Sequence, residues 1–408
     1  MIIKRDYYLQ QLISSKSNNL IKIVTGIRRS GKSFLLFNLF HNHLIETGIS
    51  EDHIIEIALD DRLNKNLRDP DIILQHIHER IVDDKLYYII LDEVQMIDEF
   101  TDVLNSLLHI RNADVYVTGS NSKFLSKDVV TEFRGRGDEI HLFPLSFAEL
   151  YNSIGGDKFE LWKSYYTYGG LPGILELDSE KKKAAYLRSL HETVYLKDII
   201  ERNNLKNSEE FMELMRVMAS CIGSPCNPSK LENTFKSVKN ETLDRKTISK
   251  YLSYMEDAFL IEKSMRYDIK GRKYIGTLSK YYFQDIGLRN ALLNFRQVEE
   301  NHIMENVIYN ELRLRGFCVD VGMVEARTAK ERKQLEVDFV ANMADRRYYI
   351  QSAFAMPDDD KREQECASLK KIDDSFKKII IMRDDIKPYH DNNGFYIVGL
   401  MDFLLSRI

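Results

Sequence analysis

The sequence predicts an α/β protein in which a parallel sheet is followed by a helical stretch and then by a second α/β region. Three observations carry this. Through the first third, apolar runs of strand length alternate with segments of helical period. From residue 151 the apolar spacing becomes three and four. After residue 279, strand-like runs return around a long helical segment.

At 408 residues the chain exceeds one ordinary core, and roughly 150 residues per domain implies two or three units. A hydrophobic fraction of 44% and a charged fraction of 30% fit a folded protein without a long low-complexity arm. The longest apolar runs fall short of the roughly 20 residues of a membrane helix. The polar opening, "MIIKRDYYLQQLI", does not fit a signal peptide, so a cytoplasmic protein without a membrane partner is expected. A net charge of −5 confines any nucleic-acid contact to a local basic face. Cys221, Cys226, Cys318 and Cys366 lack the second ligand pair of a zinc site and read as idle thiols.

"LIKIVTG" reads as a buried strand and "SFLLFNLFHNHLIETG" as an amphipathic helix. The loop between them is Gly26-x-x-x-x-Gly31-Lys32-Ser33. In that setting successive backbone N–H groups and a helix N-terminus point together at a phosphate. Lys32 is placed to reach the β and γ phosphates of a nucleotide, and Ser33 to ligate Mg2+. "HIIEIALDD" is a second strand, "DIILQHIHERIV" a helix, and "LYYIILDEVQ" a strongly apolar strand ending in Asp92 and Glu93. Asp92 is expected to share the metal with Ser33, and Glu93 to orient or deprotonate the attacking water. A further strand, "ADVYVTGSNS", carries Ser120 and Asn121 at its tip, where Asn121 is a candidate sensor of the γ phosphate and a plain turn the alternative.

These segments, with "RGRG", "LFPLSFAEL" and "YGGLP", resemble the AAA-family ATP-binding proteins of bacteria and archaea related to the archaeal-type and STAND ATPases, along essentially the whole chain. The resemblance implies a P-loop NTPase sheet over residues 1–150 with a helical lid over 151–205, ATP and ADP as ligands, and a homo-oligomer as one arrangement. The nucleotide-binding set is then Gly26, Ile27, Arg28, Arg29, Ser30, Gly31, Lys32, Ser33 and Phe34, joined by Pro172 as a reporter of nucleotide state. Arg136 becomes a candidate for stabilising γ-phosphate charge, in its own chain or from a neighbouring subunit.

Over 206–278 three helical patterns precede an alternating stretch with a central glycine, the order of a winged helix-turn-helix. Arg245, Lys246 and Lys250 flank the apolar stripe of its third helix and are candidate contacts to double-stranded DNA; docking of a protein is the alternative use. Residues 279–408 are similar to the PD-(D/E)XK nuclease fold. Glu305 matches its helix acid and Asp338 its strand carboxylate, but "RYYIQSAFA" puts Gln351, Ser352 and Ala353 where an acid-x-lysine pair belongs. Losing a carboxylate and an ammonium weakens both metal binding and water activation, so a degenerate site is expected, with Lys330 and Lys333 as candidates for a relocated cation.

The combined expectation is an ATPase that couples nucleotide state to a DNA- or protein-binding helix and an inactive nuclease-like tail. An ATP-regulated nuclease and a nucleotide-clamped binding protein without turnover are the alternatives.

Overall fold

Four apolar runs of the first part of the chain become β1 (Ile21–Thr25), β2 (Ile54–Ala58), β3 (Tyr87–Asp92) and β4 (Ala113–Thr118), and the more polar segment after them adds β5 (Gly137–His141). The structure, a computed structural model, describes residues 2–119, 135–239, 243–327 and 332–406. It divides into two units: Met1–Leu145 with Asp257–Phe259, and Ser146–Glu256 with Leu260–Ile408.

In the first unit the strands lie parallel in the order β2-β3-β4-β1-β5. Both β1 and β3 are buried along their whole length, as expected for parallel strands covered on two faces. One face packs Ile23, Ile89, Leu91 and Val117 against the helices Pro70–Arg80 and Phe100–Leu107. The other packs Val24, Ile90 and Tyr116 against Leu36, Phe40 and Leu44 of the helical run 32–46. Asp69 starts Pro70–Arg80 by accepting the N–H groups of Asp71 and Ile72, beside a proline whose missing donor costs nothing there. Because β4 lies between β1 and β3, its C-terminal end stands between the glycine loop and the acidic end of β3. Ligands of open parallel sheets bind along this edge.

The second unit opens with Phe147–Ile154, whose capping box joins Ser146 and Glu149. Helices Lys158–Tyr168, Glu180–Leu190, Ser208–Ser220, Pro228–Thr234 and Arg245–Asp257 follow. Then come β6 (Ile261–Asp268), β7 (Lys273–Phe283), helices Ile286–Leu292 and Glu300–Leu314, and β8 (Cys318–Arg327), β9 (Arg332–Met343), β10 (Arg346–Ala353), β11 (Lys377–Met382), β12 (Tyr389–His390) and β13 (Tyr396–Gly399). These strands form one sheet in the order β12-β13-β11-β10-β9-β8-β6-β7.

That order corrects one expectation. The hairpin read as a wing is β6–β7, and β6 also pairs in parallel with β8, so the boundary expected at 278/279 runs through a strand of the larger sheet. The physical reason is its apolar face. Tyr282 is fully buried and stacks on Tyr309 of the helix Glu300–Leu314 at 4.1 Å, so this end of the hairpin belongs to the tail's core.

Candidate nucleotide-binding site

The loop after β1 is shaped by two glycines. Gly26 has φ +136, and a Cβ there would stand 2.2 Å from the carbonyl oxygen of Leu142. Gly31, at φ +98, caps the helix that begins at Lys32. Between them Ile27 and Ser30 are buried, Arg28 is half-buried, and Arg29 has φ +65. Phe34 is partly exposed. Arg5, itself buried, donates to the carbonyls of Ser30 at 3.2 Å and Phe143 at 2.8 Å, bracing the loop from the N-terminal segment. Nothing in the sequence pattern singles out this arginine.

Lys32 is nearly buried, and its ammonium donates to the carbonyls of Gly26 and Ile27 at 2.9 and 3.2 Å. Burial pulls its pKa down to about 8, against the opposing pull of Glu93 and Asp92. Ser33 donates its hydroxyl to Asp92 Oδ2 at 2.7 Å, and Thr118 donates to Asp92 Oδ1. Burial raises the Asp92 pKa, and these two hydroxyls oppose the rise. The Thr118 hydroxyl also accepts the N–H of Glu93 at 2.9 Å. Glu93 itself takes a left-handed backbone at φ +53 and receives a hydrogen bond from the Gln95 amide.

Three features suit this loop to a triphosphate with Mg2+. The Ser30 hydroxyl is buried without a partner among the described residues. The glycine turn has no room for a side chain at Gly26. The Ser33 hydroxyl and the Asp92 carboxylate form a hard oxygen pair of the kind magnesium takes.

Residues 18–151 match an AAA domain and residues 159–299 a domain of unknown function. Over 414 aligned residues the chain is 33% identical to an uncharacterized protein of Haemophilus influenzae, covering 99% of each. The chain belongs to the family of that protein. It is also 29% identical to an uncharacterized protein of Methanocaldococcus jannaschii, over 94% of this chain and 86% of that one. Among solved structures, the Aeropyrum pernix ORC1 protein in complex with DNA is 12% identical over 72% of this chain and 92% of its own, with a TM-score of 0.30.

Within the AAA domain, Lys32, Ser33, Asp92 and Glu93 gather at one edge, and Thr118 is the residue that joins them. Asn121 lies outside the described residues. Arg136 requires a correction. β1 and β5 are parallel, with Ile21 opposite Gly137 and Thr25 opposite His141. Arg136 therefore immediately precedes β5, five residue steps or roughly 16 Å from the level of Thr25 and His141, after which the loop emerges. Its carbonyl accepts the N–H of Ile21, and its side chain is exposed. An arginine side chain cannot span that separation, so a role at the loop of its own chain is ruled out.

In the second unit Pro172 begins the turn Pro172–Glu176. The glycines before it serve a local contact. Gly170 donates its N–H to the buried carboxylate of Asp285 at 2.8 Å, and a Cβ on Gly169 would lie 2.5 Å from that carboxylate. Asp285 also caps Ile286–Leu292 through the N–H of Leu288. Arg245, Lys246 and Lys250 are exposed on Arg245–Asp257, whose Ile248, Leu252 and Met255 are buried. The thiol of Cys226 is buried and pushed up to about 12, and the Cys221 thiol is raised by the same cause, as befits inert cysteines.

The tail brings Glu305 and Asp338 together through a residue that sequence reading missed. Lys280 of β7 lies 2.8 Å from Glu305, 2.7 Å from Glu336 and 3.9 Å from Asp338, and is almost wholly buried. Tyr282 donates to the same oxygen of Glu305 at 2.8 Å, and the N–H of Ser352 to Asp338 at 2.8 Å. The Gln351 amide reaches Glu365 at 3.5 Å. Lys333 is exposed, and Lys330 lies outside the described residues. The signal for Lys280 was a lysine in the apolar run "KYYFQD", where a buried ammonium demands anions.

Proposed function

We propose that this protein is a magnesium-dependent ATPase whose nucleotide state governs a docking helix and a nuclease-like tail without nuclease chemistry. The observation that carries the reading is the Ser33–Asp92 hydrogen bond beside a buried Lys32 in a glycine loop. Magnesium held by Ser33 and Asp92 would supply charge neutralisation at the phosphates. Lys32 exchanges the carbonyls of Gly26 and Ile27 for phosphate oxygens, and loop N–H groups hold the remaining charge. Glu93, one residue beyond the buried strand, orients water and takes its proton.

Turnover should require Mg2+, vanish in Lys32→Ala, and stall with ATP bound in Glu93→Gln. Unchanged turnover in both variants would refute the assignment.

Exposed Arg245, Lys246 and Lys250 over a buried stripe support contact with DNA phosphates or an acidic protein face. Anisotropy with duplex DNA across a salt series separates the two, because phosphate neutralisation gives a steep loss of affinity with salt. In the tail, the Lys280 ammonium already pairs with Glu305 and Glu336 and Gln351 replaces a ligand, which supports a scaffold role. Plasmid incubated with Mg2+ or Mn2+ should stay intact; cutting that Asp338→Ala abolishes would instead establish a nuclease.

A further inference from the structure

The second unit holds a cleft that neither the nucleotide loop nor the carboxylate cluster uses. Its volume is about 550 Å³, within the usual range of small-molecule sites. Its walls are the second half of Lys158–Tyr168, one side of Glu180–Leu190 and the segment after Ile286–Leu292. Tyr166, Tyr168 and Phe295 give it aromatic surface, and Lys163, Lys181 and Arg188 give it three cations. None of these cations is held in an ion pair among the described residues, whereas Lys182, next along the same helix, is paired with Asp178. Glu180 is the one carboxylate on the lining, so the cleft carries an excess of positive charge.

The backbone supplies an independent observation. Asn294 and Phe295 are successive non-glycine residues at φ +50 and +58, a region that a bulky side chain rarely enters. The turn is held by Phe295 N–H donating to Asn290 O at 2.8 Å, and the Arg188 guanidinium lies 5.9 Å from the Phe295 ring centre. Conformations of this kind gather at ligand sites.

We propose that this cleft binds a nucleotide, its base stacked on the aromatic wall and its phosphate on the cations. Unpaired cations in a concave surface call for an anion, and three rings beside them call for a planar partner. A free mononucleotide and the end of a single strand share this chemistry. A duplex does not, because its bases are already stacked on one another. The cleft lies within residues 159–299, the region that matches the domain of unknown function.

The test uses the full chain carrying Lys32→Ala, which silences the nucleotide loop. The probes are thymidine monophosphate, a short labelled oligothymidylate, thymidine and inorganic pyrophosphate, measured by calorimetry and anisotropy. The monophosphate, the strand or both should bind, with thymidine and pyrophosphate at least roughly tenfold weaker. Arg188→Gln and Phe295→Leu should each weaken binding by roughly tenfold. Lys163→Gln and Lys181→Gln, at exposed positions where folding is not at risk, should weaken it as well. A strand that binds more tightly than the monophosphate identifies a strand end as the ligand, and equal affinity identifies the free nucleotide. Absence of binding by both, pyrophosphate as tight as the nucleotide, or indifference to the Lys163 and Arg188 substitutions would overturn the proposal. None of these outcomes depends on turnover at the loop.

Discussion

Ser33 donates its hydroxyl to Asp92 across 2.7 Å, so the two proposed metal ligands are in contact. Thr118 holds the other oxygen of that carboxylate and takes the N–H of Glu93. One hydroxyl on the strand between thus holds the Asp92 carboxylate and the backbone of Glu93. Thr118→Val keeps the shape and removes the hydroxyl. Such supporting bonds typically govern metal affinity by 10- to 100-fold. A magnesium titration of turnover should therefore shift by roughly that factor, with metal-free ATP binding unchanged; an unaltered magnesium dependence would show that Thr118 merely fills space.

Lys32 links nucleotide binding to pH. Burial lowers its pKa to about 8, and the approach of phosphate oxygens would raise it again. Between those two values binding must take up a proton, so affinity falls as pH rises past 8. At pH 7 the ammonium is already charged, and uptake should be slight. At pH 9 it should approach about one proton per ATP. Calorimetry in two buffers of different ionisation heat measures this directly, and Lys32→Ala should abolish the difference.

Lys280 makes the tail's stability sensitive to charge. Burial alone would lower the pKa of its ammonium, but Glu305, Asp338 and Glu336 outweigh that and hold it charged. Burial and Glu305 in turn push the Asp338 carboxyl up. Lys280→Met leaves those acids without a cation, and breaking a buried pair this way costs about 3–5 kcal/mol. A carboxyl with a raised pKa is destabilising when ionised and relieved when protonated. The deficit should therefore be largest at neutral pH and shrink on acidification. Urea midpoints at pH 7 and pH 5 check the sign, and adding Asp338→Asn to Lys280→Met should recover part of the loss.

The first unit was legible in the sequence because β1 and β3 are buried on both faces and its loop combines a fixed glycine spacing with a strand before and a helix after; β5, polar and partly exposed, is no apolar run. Asp92 and Glu93 announced themselves by ending an apolar run. Thr118 did not, since a threonine closing a strand is ordinary until β4 is known to lie between β1 and β3. The same limit hid Lys280. Its meaning depends on β7, Glu300–Leu314 and β9 meeting in space, and sequence spacing carries no record of that meeting. The hairpin β6–β7 was misassigned for a related reason: alternation marks a strand but does not say which sheet receives it.

Arg136 offers the sharpest test of assembly. It immediately precedes β5, at the end of the sheet opposite the glycine loop of its own chain. Any contribution to γ-phosphate charge must therefore come from a second copy. If it does, Arg136→Ala should lower turnover by roughly 10³-fold or more, the scale of an arginine supplied in trans. Lys32→Ala is inactive for a different reason, because its own loop fails while its Arg136 remains intact. Mixing the two inactive variants should then restore part of the activity, as the Lys32→Ala copy lends its arginine to a neighbour with a working loop. Restored turnover that rises with protein concentration would establish an assembled ATPase. Full activity of Arg136→Ala alone would remove the arginine from the chemistry.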